Sequence, residues 1–542
     1  MYSPTFNLRL RHSGLLLAAA AFLVLTCTIT ATAQDLPQTG AERAGWSRHT
    51  NHEELVEFLF EVQSRTENML IRDLATTAEG RTVFLVILGD PPAATPGTAW
   101  LSGKPTILIV QNVHGGELSG REGGLQLIRE LALGELRPLL EKVNLLIIPS
   151  INPDGANRQP RPGRANSLGY DMNRDYVVME TPEISSVVEE VLLQWWPDVH
   201  VDTHNGGSRP YNLTYQATLH PAADRDLVAF ANGPMYEAVK AHMESQGLML
   251  FWYSGPRQDP ETGEWYWQTT DPLLRKQHSY SGFQNMVALL YECPGGSLDL
   301  QAASQREGQE GLIRFVAENA RELRKIVAQA RRRTVERASD QVVLGWRRSA
   351  YPGKVEFYVT ERMPEGGRSE PKLVTGERRT LYVPSATRKR PWAYAFDGNL
   401  HKVAGLLRRH AIEVERLKEP VTLNVEQYRV KSIGWAENPY QNHHLASIEV
   451  EVFEEEITLE TGTHIVRMGQ NGGTLAAYLL EPETDDSVVT WNFLDHMGMR
   501  GPSTMRTRPG MTPPAQQRER PGTVLPIYRI MRPVGIKAVL LP

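Results

Sequence analysis

Four short apolar runs in this chain each stop abruptly at polar residues. "TILIV" leads into "QNVHGGELSG", "VNLLIIPS" into "INPDG", "PDVHV" into "DTHNGG", and "MVALLY" into "ECPGG". Apolar runs of this length, bounded by turn residues, read as strands buried on both faces. Between them lie helical patterns such as "SGREGGLQLIRELA", predicted to begin near Ser119, and upstream "HEELVEFLFEVQ". Strands alternating with helices predict an α/β fold: a mostly parallel mixed sheet flanked by helices. In such sheets ligands bind beyond the carboxyl ends of the strands. Every polar cluster just quoted falls there.

A single long helix, "EGLIRFVAENARELRKIVAQARRRTVERAS", is expected to close this unit, with Arg331 to Arg333 on a solvated face. Beyond about residue 340 the texture changes to alternating strands, as in "GKVEFYVTERM" and "IEVEVFEEEITLETGTHIVRM". One helical segment, "LHKVAGLLRRHAIEVERL", interrupts them, and "RGPSTMRTRPGMTPPAQQRERPG" is a Pro-, Gly- and Arg-rich loop. The expected organisation is therefore a unit over 45–338, followed by a β-rich region over 340–542.

At the N-terminus, Arg9, Arg11 and His12 precede an apolar run from Leu15 to Leu25, and Ala31-Thr32-Ala33 offers a small-x-small cleavage site. Residues 1–33 read as a secretory signal peptide, which predicts export to the periplasm or beyond and no membrane insertion after its removal. Of the two cysteines only Cys293 lies outside that segment, so the exported chain has no internal disulfide. A formal charge of −5 over 542 residues gives no basic footprint for nucleic acid.

His114 and Glu117 stand three residues apart in a glycine turn at a strand end. A buried carboxylate needs a positive partner, and imidazole and carboxylate together suit a zinc ion held by three protein ligands with a fourth position open. The third ligand should come from another strand end. His200 and His204 face the same side of "VHVDTH"; His204 lies at the polar end and is the better choice, with His200 read as core. Most of the 15 histidines, including His443, His444 and His496, read as surface or packing residues.

The motifs also form an ordered series: "HGGE", "NPDG", "RANSLGYDMNRD", "DTH" and "LLYE". With this series the chain resembles the zinc metallocarboxypeptidase family, which includes carboxypeptidases A and B, over roughly residues 45 to 335. The resemblance implies a carboxypeptidase-like fold and one zinc ion held by His114, Glu117 and His204. It implies that Asn173 and Arg174 bind the terminal carboxylate of a peptide, a task suited to a guanidinium fork. Arg164 matches the arginine that stabilises the oxyanion, with Arg158 and Arg161 as nearby competitors. Glu292 matches the general base. Tyr280 stands for the tyrosine that covers the substrate, with Tyr253 and Tyr266 as rivals, and Asp202 could orient a ligand histidine. Cys293 reads as a buried thiol.

The reading that follows is an exported zinc metallocarboxypeptidase, hydrolysing the C-terminal amide bond of peptides. Two alternatives are a zinc amidohydrolase acting on cell-wall peptides or N-acyl amino acids, and a noncatalytic peptide-binding homologue. Nothing in "PYQNHHLAS" or "TWNFLDHMG" assigns a role to the C-terminal region.

Overall fold

The computed structural model describes residues 36–363, 366–495 and 522–541. The signal-like segment 1–33, His496 and the Arg-rich loop up to residue 521 lie outside the described residues. Among those described, no helix is long and apolar enough to cross a membrane.

The apolar runs form the centre of an eight-stranded sheet. Its strands are β1 (Met69–Thr76), β2 (Thr82–Leu88), β3 (Thr106–Gln111), β4 (Asn144–Ile148), β5 (Val199–His204), β6 (Leu213–Ala217), β7 (Leu250–Trp252) and, after two strands of another sheet, β10 (Val287–Glu292). The order is β1-β2-β4-β3-β5-β10-β6-β7. The four central strands β4-β3-β5-β10 are mutually parallel, whereas β2 and β6 join them antiparallel. The fold is thus the α/β mixed sheet expected, parallel where both faces are covered. All residues of β3, β4, β5 and β10 are buried, and each fully buried aliphatic side chain contributes about 1.5–3 kcal/mol.

Helix α1 (His52–Gln63) and α2 (Ser119–Leu133) match the helical patterns. Two turns of sequence logic fail at the closing helix. The structure has two helices, α4 (Leu298–Glu318) and α5 (Ala320–Val335), broken at Asn319. The Asn319 side chain and its backbone N–H both donate to Phe315 O at 2.9 Å, while its φ of −111° and ψ of 22° leave the helical region and end α4. The arginine face is not simply solvated either. Arg333 pairs with Asp224 at 2.7 Å, and Arg331 donates to the carbonyls of Trp196 and Pro197; of the three, Arg332 alone points outward.

The C-terminal region is rich in strands. β17 (Val421–Trp435) and β18 (Ala446–Leu459) form a long hairpin at the edge of a seven-stranded sheet. A second, four-stranded sheet crosses position 340: β13 (Lys372–Arg379) pairs parallel with β9 (Trp265–Gln268). The core is shared as well, since Val110, Ile148 and Tyr280 belong to the same buried cluster as Leu407, Tyr478, Trp491 and Leu525.

Candidate functional site

The polar strand ends meet at one place. Asn112 leaves β3 with φ 60°, and its side-chain amide donates to the carbonyls of His114, Gly115 and Glu117. These bonds curl "HGGE" back over the sheet. A Cβ on Gly115 would lie 2.2 Å from the backbone of Gly155, so the turn packs directly on the "NPDG" loop. There Asn152 donates to Val113 O and Arg164 O, tying this turn to the loop that carries Arg164.

His114 Nδ1 and His204 Nδ1 are 3.0 Å apart. Glu117 reaches both: Oε1 lies 3.0 Å from His114 Nδ1 and Oε2 2.8 Å from His204 Nδ1. The outer ring nitrogens are also engaged, His114 Nε2 with Asp171 at 2.9 Å and His204 Nε2 with Asp202 at 2.7 Å. An ionised carboxylate only accepts, so each Nε2 carries the proton and each Nδ1 presents a lone pair. Two lone pairs and a carboxylate facing one another suit a shared cation. Ligands about 2.1 Å from a tetrahedral zinc ion are about 3.4 Å apart, close to the spacing found, so this donor set fits zinc.

Protons compete with a cation for these same donors. Burial opposes ionisation of Glu117, but hydrogen bonds from His114 and His204 outweigh it and hold its carboxyl below the ordinary range. Burial likewise disfavours charge on His204, yet Asp202 and Glu117 raise its affinity for a proton well above normal. A second group, His242 with Glu307 and Glu310, also lies close enough to share an ion. Its carboxylates are already paired with Arg306 and Arg314, which lowers their need for a metal.

Glu292 ends β10 beside His204, its register partner on β5. Its side chain is buried, which pushes the carboxyl up to about 7. Arg164 lies at the rim, half exposed, with one arm 3.2 Å from Glu117 and another 2.9 Å from Asp171. Arg158 instead donates to Asn166 O, and Arg161 is exposed.

Comparison with known proteins bears on this geometry. Residues 55–306 match the family model described as zinc carboxypeptidase. The chain carries a zinc carboxypeptidase domain. It is 22% identical to carboxypeptidase 2 of Trichophyton tonsurans over 438 residues, 75% of each chain. It is 30% identical to carboxypeptidase E of Caenorhabditis elegans over 169 residues, 28% of this chain and 34% of that protein. Among solved structures, a metallo-carboxypeptidase from Pseudomonas aeruginosa aligns with a TM-score of 0.39 and 21% identity, covering 50% of this chain and 69% of that one. The enzyme class is that of the metallocarboxypeptidase hydrolases.

Within the carboxypeptidase domain, Asn173 is buried, 3.2 Å from His204 Nε2, and accepts from Gln277 N. Arg174 follows it, half-buried, donating to Asn173 O. Tyr280 is not brought to the cluster. It lies on helix α3 (Gln277–Phe283), fully buried, with its hydroxyl 2.8 Å from His410 Nδ1 and its ring against Tyr176. Helix α3 turns that face into the core, so the choice of Tyr280 is corrected. Tyr253, the rival from the preceding loop, interacts through its hydroxyl with Glu292. Tyr266 sits on β9, stacked with Arg379. His200 is core, its Nδ1 2.8 Å from Ser281 and its pKa lowered to about 3 by burial. Burial also raises the Cys293 thiol.

Two residues of the domain escaped the sequence reading. Asp171 orients His114 as Asp202 orients His204; its place in "YDMNRD" two residues before Asn173 was visible, but the partner was not. Asn112, the one left-handed residue before "HGGE", was legible only as an amide before a turn.

Proposed function

We propose that this chain is a zinc-dependent carboxypeptidase that removes the C-terminal residue of peptides, with Glu292 as general base. The observation that carries the reading is the pairing of His204 with Glu292 at the ends of adjacent parallel strands, which sets a buried carboxylate beside the donor set His114, Glu117 and His204. Zinc held by those three residues supplies a Lewis-acid centre that makes a water nucleophilic near neutral pH.

The chain's own groups do the rest. Glu292, with its carboxyl near neutrality, accepts the proton of the attacking water and returns it to the leaving amine. Arg164, at the rim beside Glu117, donates to the oxygen on which negative charge develops. Arg174, with Asn173 beside it, receives the substrate's terminal carboxylate, and Tyr253 closes over the scissile bond from the Glu292 side. Asp171 and Asp202 keep both ligand rings in the tautomer the metal needs. The export motif in residues 1–33 supports an extracytoplasmic location.

The test is digestion of a mixed peptide library by the purified chain, read by mass spectrometry with and without a chelator. Stepwise loss of single C-terminal residues, stopped by the chelator and restored by zinc, is expected. Internal cleavage, or release of acyl groups only, would overturn the carboxypeptidase assignment.

A further inference from the structure

The loop between β17 and β18 reaches across to the site. Tyr440 and His443 exchange backbone bonds, Tyr440 N to His443 O at 2.7 Å and His443 N to Tyr440 O at 2.9 Å. The two residues between them, Gln441 and Asn442, have φ of 48° and 63°. Two successive left-handed residues define the tight hairpin turn usually made by Asn and Gly. Glutamine is an unfavourable occupant there, so its presence calls for an explanation in what its side chain does.

That side chain grips the backbone of Asp171 from both sides. Asp171 N donates to Gln441 Oε1 at 3.2 Å, and Gln441 Nε2 donates to Asp171 O at 2.6 Å. Asp171 is the carboxylate that holds His114 Nε2 and also meets Arg164. The neighbours follow the same course: Asn442 bonds to Tyr170, and His443 Nε2 lies 3.0 Å from Glu180. Tyr440 packs 6.3 Å from Trp491 and under the guanidinium of Arg275. Arg275 is buried and paired with Asp486 at 2.8 Å, which fixes the ring in place. The Tyr440 hydroxyl accepts from Arg275 and feels the charges of Arg174 and Asp171.

We propose that the β17–β18 turn is a wall of the active-site cleft, in which Gln441 positions the Asp171–His114 pair and Tyr440 contacts the substrate's terminal carboxylate beside Arg174. The proposal rests on the carboxypeptidase reading for the nature of the ligand. It gives the C-terminal region a part in the chemistry: without the turn, Asp171 N loses its acceptor and Asp171 O keeps only Arg174 N, at 2.9 Å, and the carboxylate pocket loses one side.

Two binding measurements on the full chain test it without requiring turnover. Zinc affinity, read by chelator competition, should fall about tenfold in Gln441→Ala, the scale seen when a partner of a metal ligand is lost. Gln441→Glu keeps an acceptor for Asp171 N but cannot donate to Asp171 O, so an intermediate loss is expected, and this variant serves if the alanine variant fails to fold. Binding of a labelled peptide to the zinc-loaded protein should weaken about tenfold in Tyr440→Phe when the peptide ends in a free carboxylate, and stay unchanged when it ends in an amide. Wild-type zinc affinity in both Gln441 variants, or equal effects of Tyr440→Phe on both peptides, would overturn the proposal. Wild-type turnover, measured separately, reports on the carboxypeptidase reading alone.

Discussion

His204 and Glu292 are register partners, the last residues of two adjacent parallel strands. Parallel neighbours in register end at the same level, so their side chains enter the crevice side by side, one a histidine of the candidate donor set and the other a carboxylate beside it. A buried carboxylate in that position is held by the sheet itself and not by a loop.

Replacing Glu292 by Gln keeps shape and removes basicity. Turnover should fall by about 10²–10⁴-fold while bound zinc, measured by elemental analysis, stays at the wild-type level. Loss of metal together with activity would show that Glu292 is a ligand. Because burial lifts this carboxyl to about 7 and the base works ionised, kcat/KM of the wild type should decline as pH falls through its pKa, which bound zinc shifts downward.

Asp171→Asn removes the charge that faces His114 Nε2. Zinc affinity should drop about 10–100-fold with the melting temperature of the metal-free protein little changed. Unchanged affinity would mean that the His114 ring is oriented by other contacts.

Arg174→Ala should weaken cleavage of peptides with a free C-terminus far more than any residual cleavage of their amidated forms, a comparison that steady-state kinetics on paired substrates provides. A charge-assisted bond of this kind is worth about 1.5–3 kcal/mol, or roughly 10–100-fold in kcat/KM. Equal damage to both substrates would remove Arg174 from carboxylate recognition.

His410 is buried and neutral: its Nε2 donates to Val177 O at 2.9 Å, its Nδ1 accepts from Tyr280, and burial lowers its pKa to about 4. Between pH 6.5 and 4.5 the unfolded chain protonates this residue and the folded one does not, so its contribution to stability falls as pH falls. Urea unfolding should show the difference between His410→Gln and wild type moving in the variant's favour by about 1.4 kcal/mol per pH unit in that window. A pH-independent difference would mean that His410 is protonated in the fold.

Gly123 on α2 faces α4, and a Cβ there would lie 2.4 Å from Ala302 O. That neighbour is helix backbone and cannot swing aside. Gly123→Ala is expected to cost about 1–3 kcal/mol, read as a lower urea midpoint at constant slope.

Much of this was legible in one dimension because it depends on local order. Apolar runs that end in polar residues disclose buried strands and the level at which they stop, and motif spacing discloses "HGGE", "DTH" and "LLYE" as neighbours of one crevice. What the chain order could not disclose is which side chain on a given element faces which partner. Sequence favours Tyr280 over Tyr253, yet the rotation of α3 sends the first to His410 and leaves the second beside Glu292. Asp171 finds His114, 57 residues away, and Gln441 finds Asp171 across 270; no local pattern encodes such pairs. Strand ends and ligand types were therefore set by the sequence read locally. The outer partners of His114 and His204, the tyrosine beside Glu292 and the placement of "PYQNHHLAS" against Asp171 were decided only when packing brought distant segments together, because hydrogen bonds are selected by distance and direction in space, not by separation along the chain.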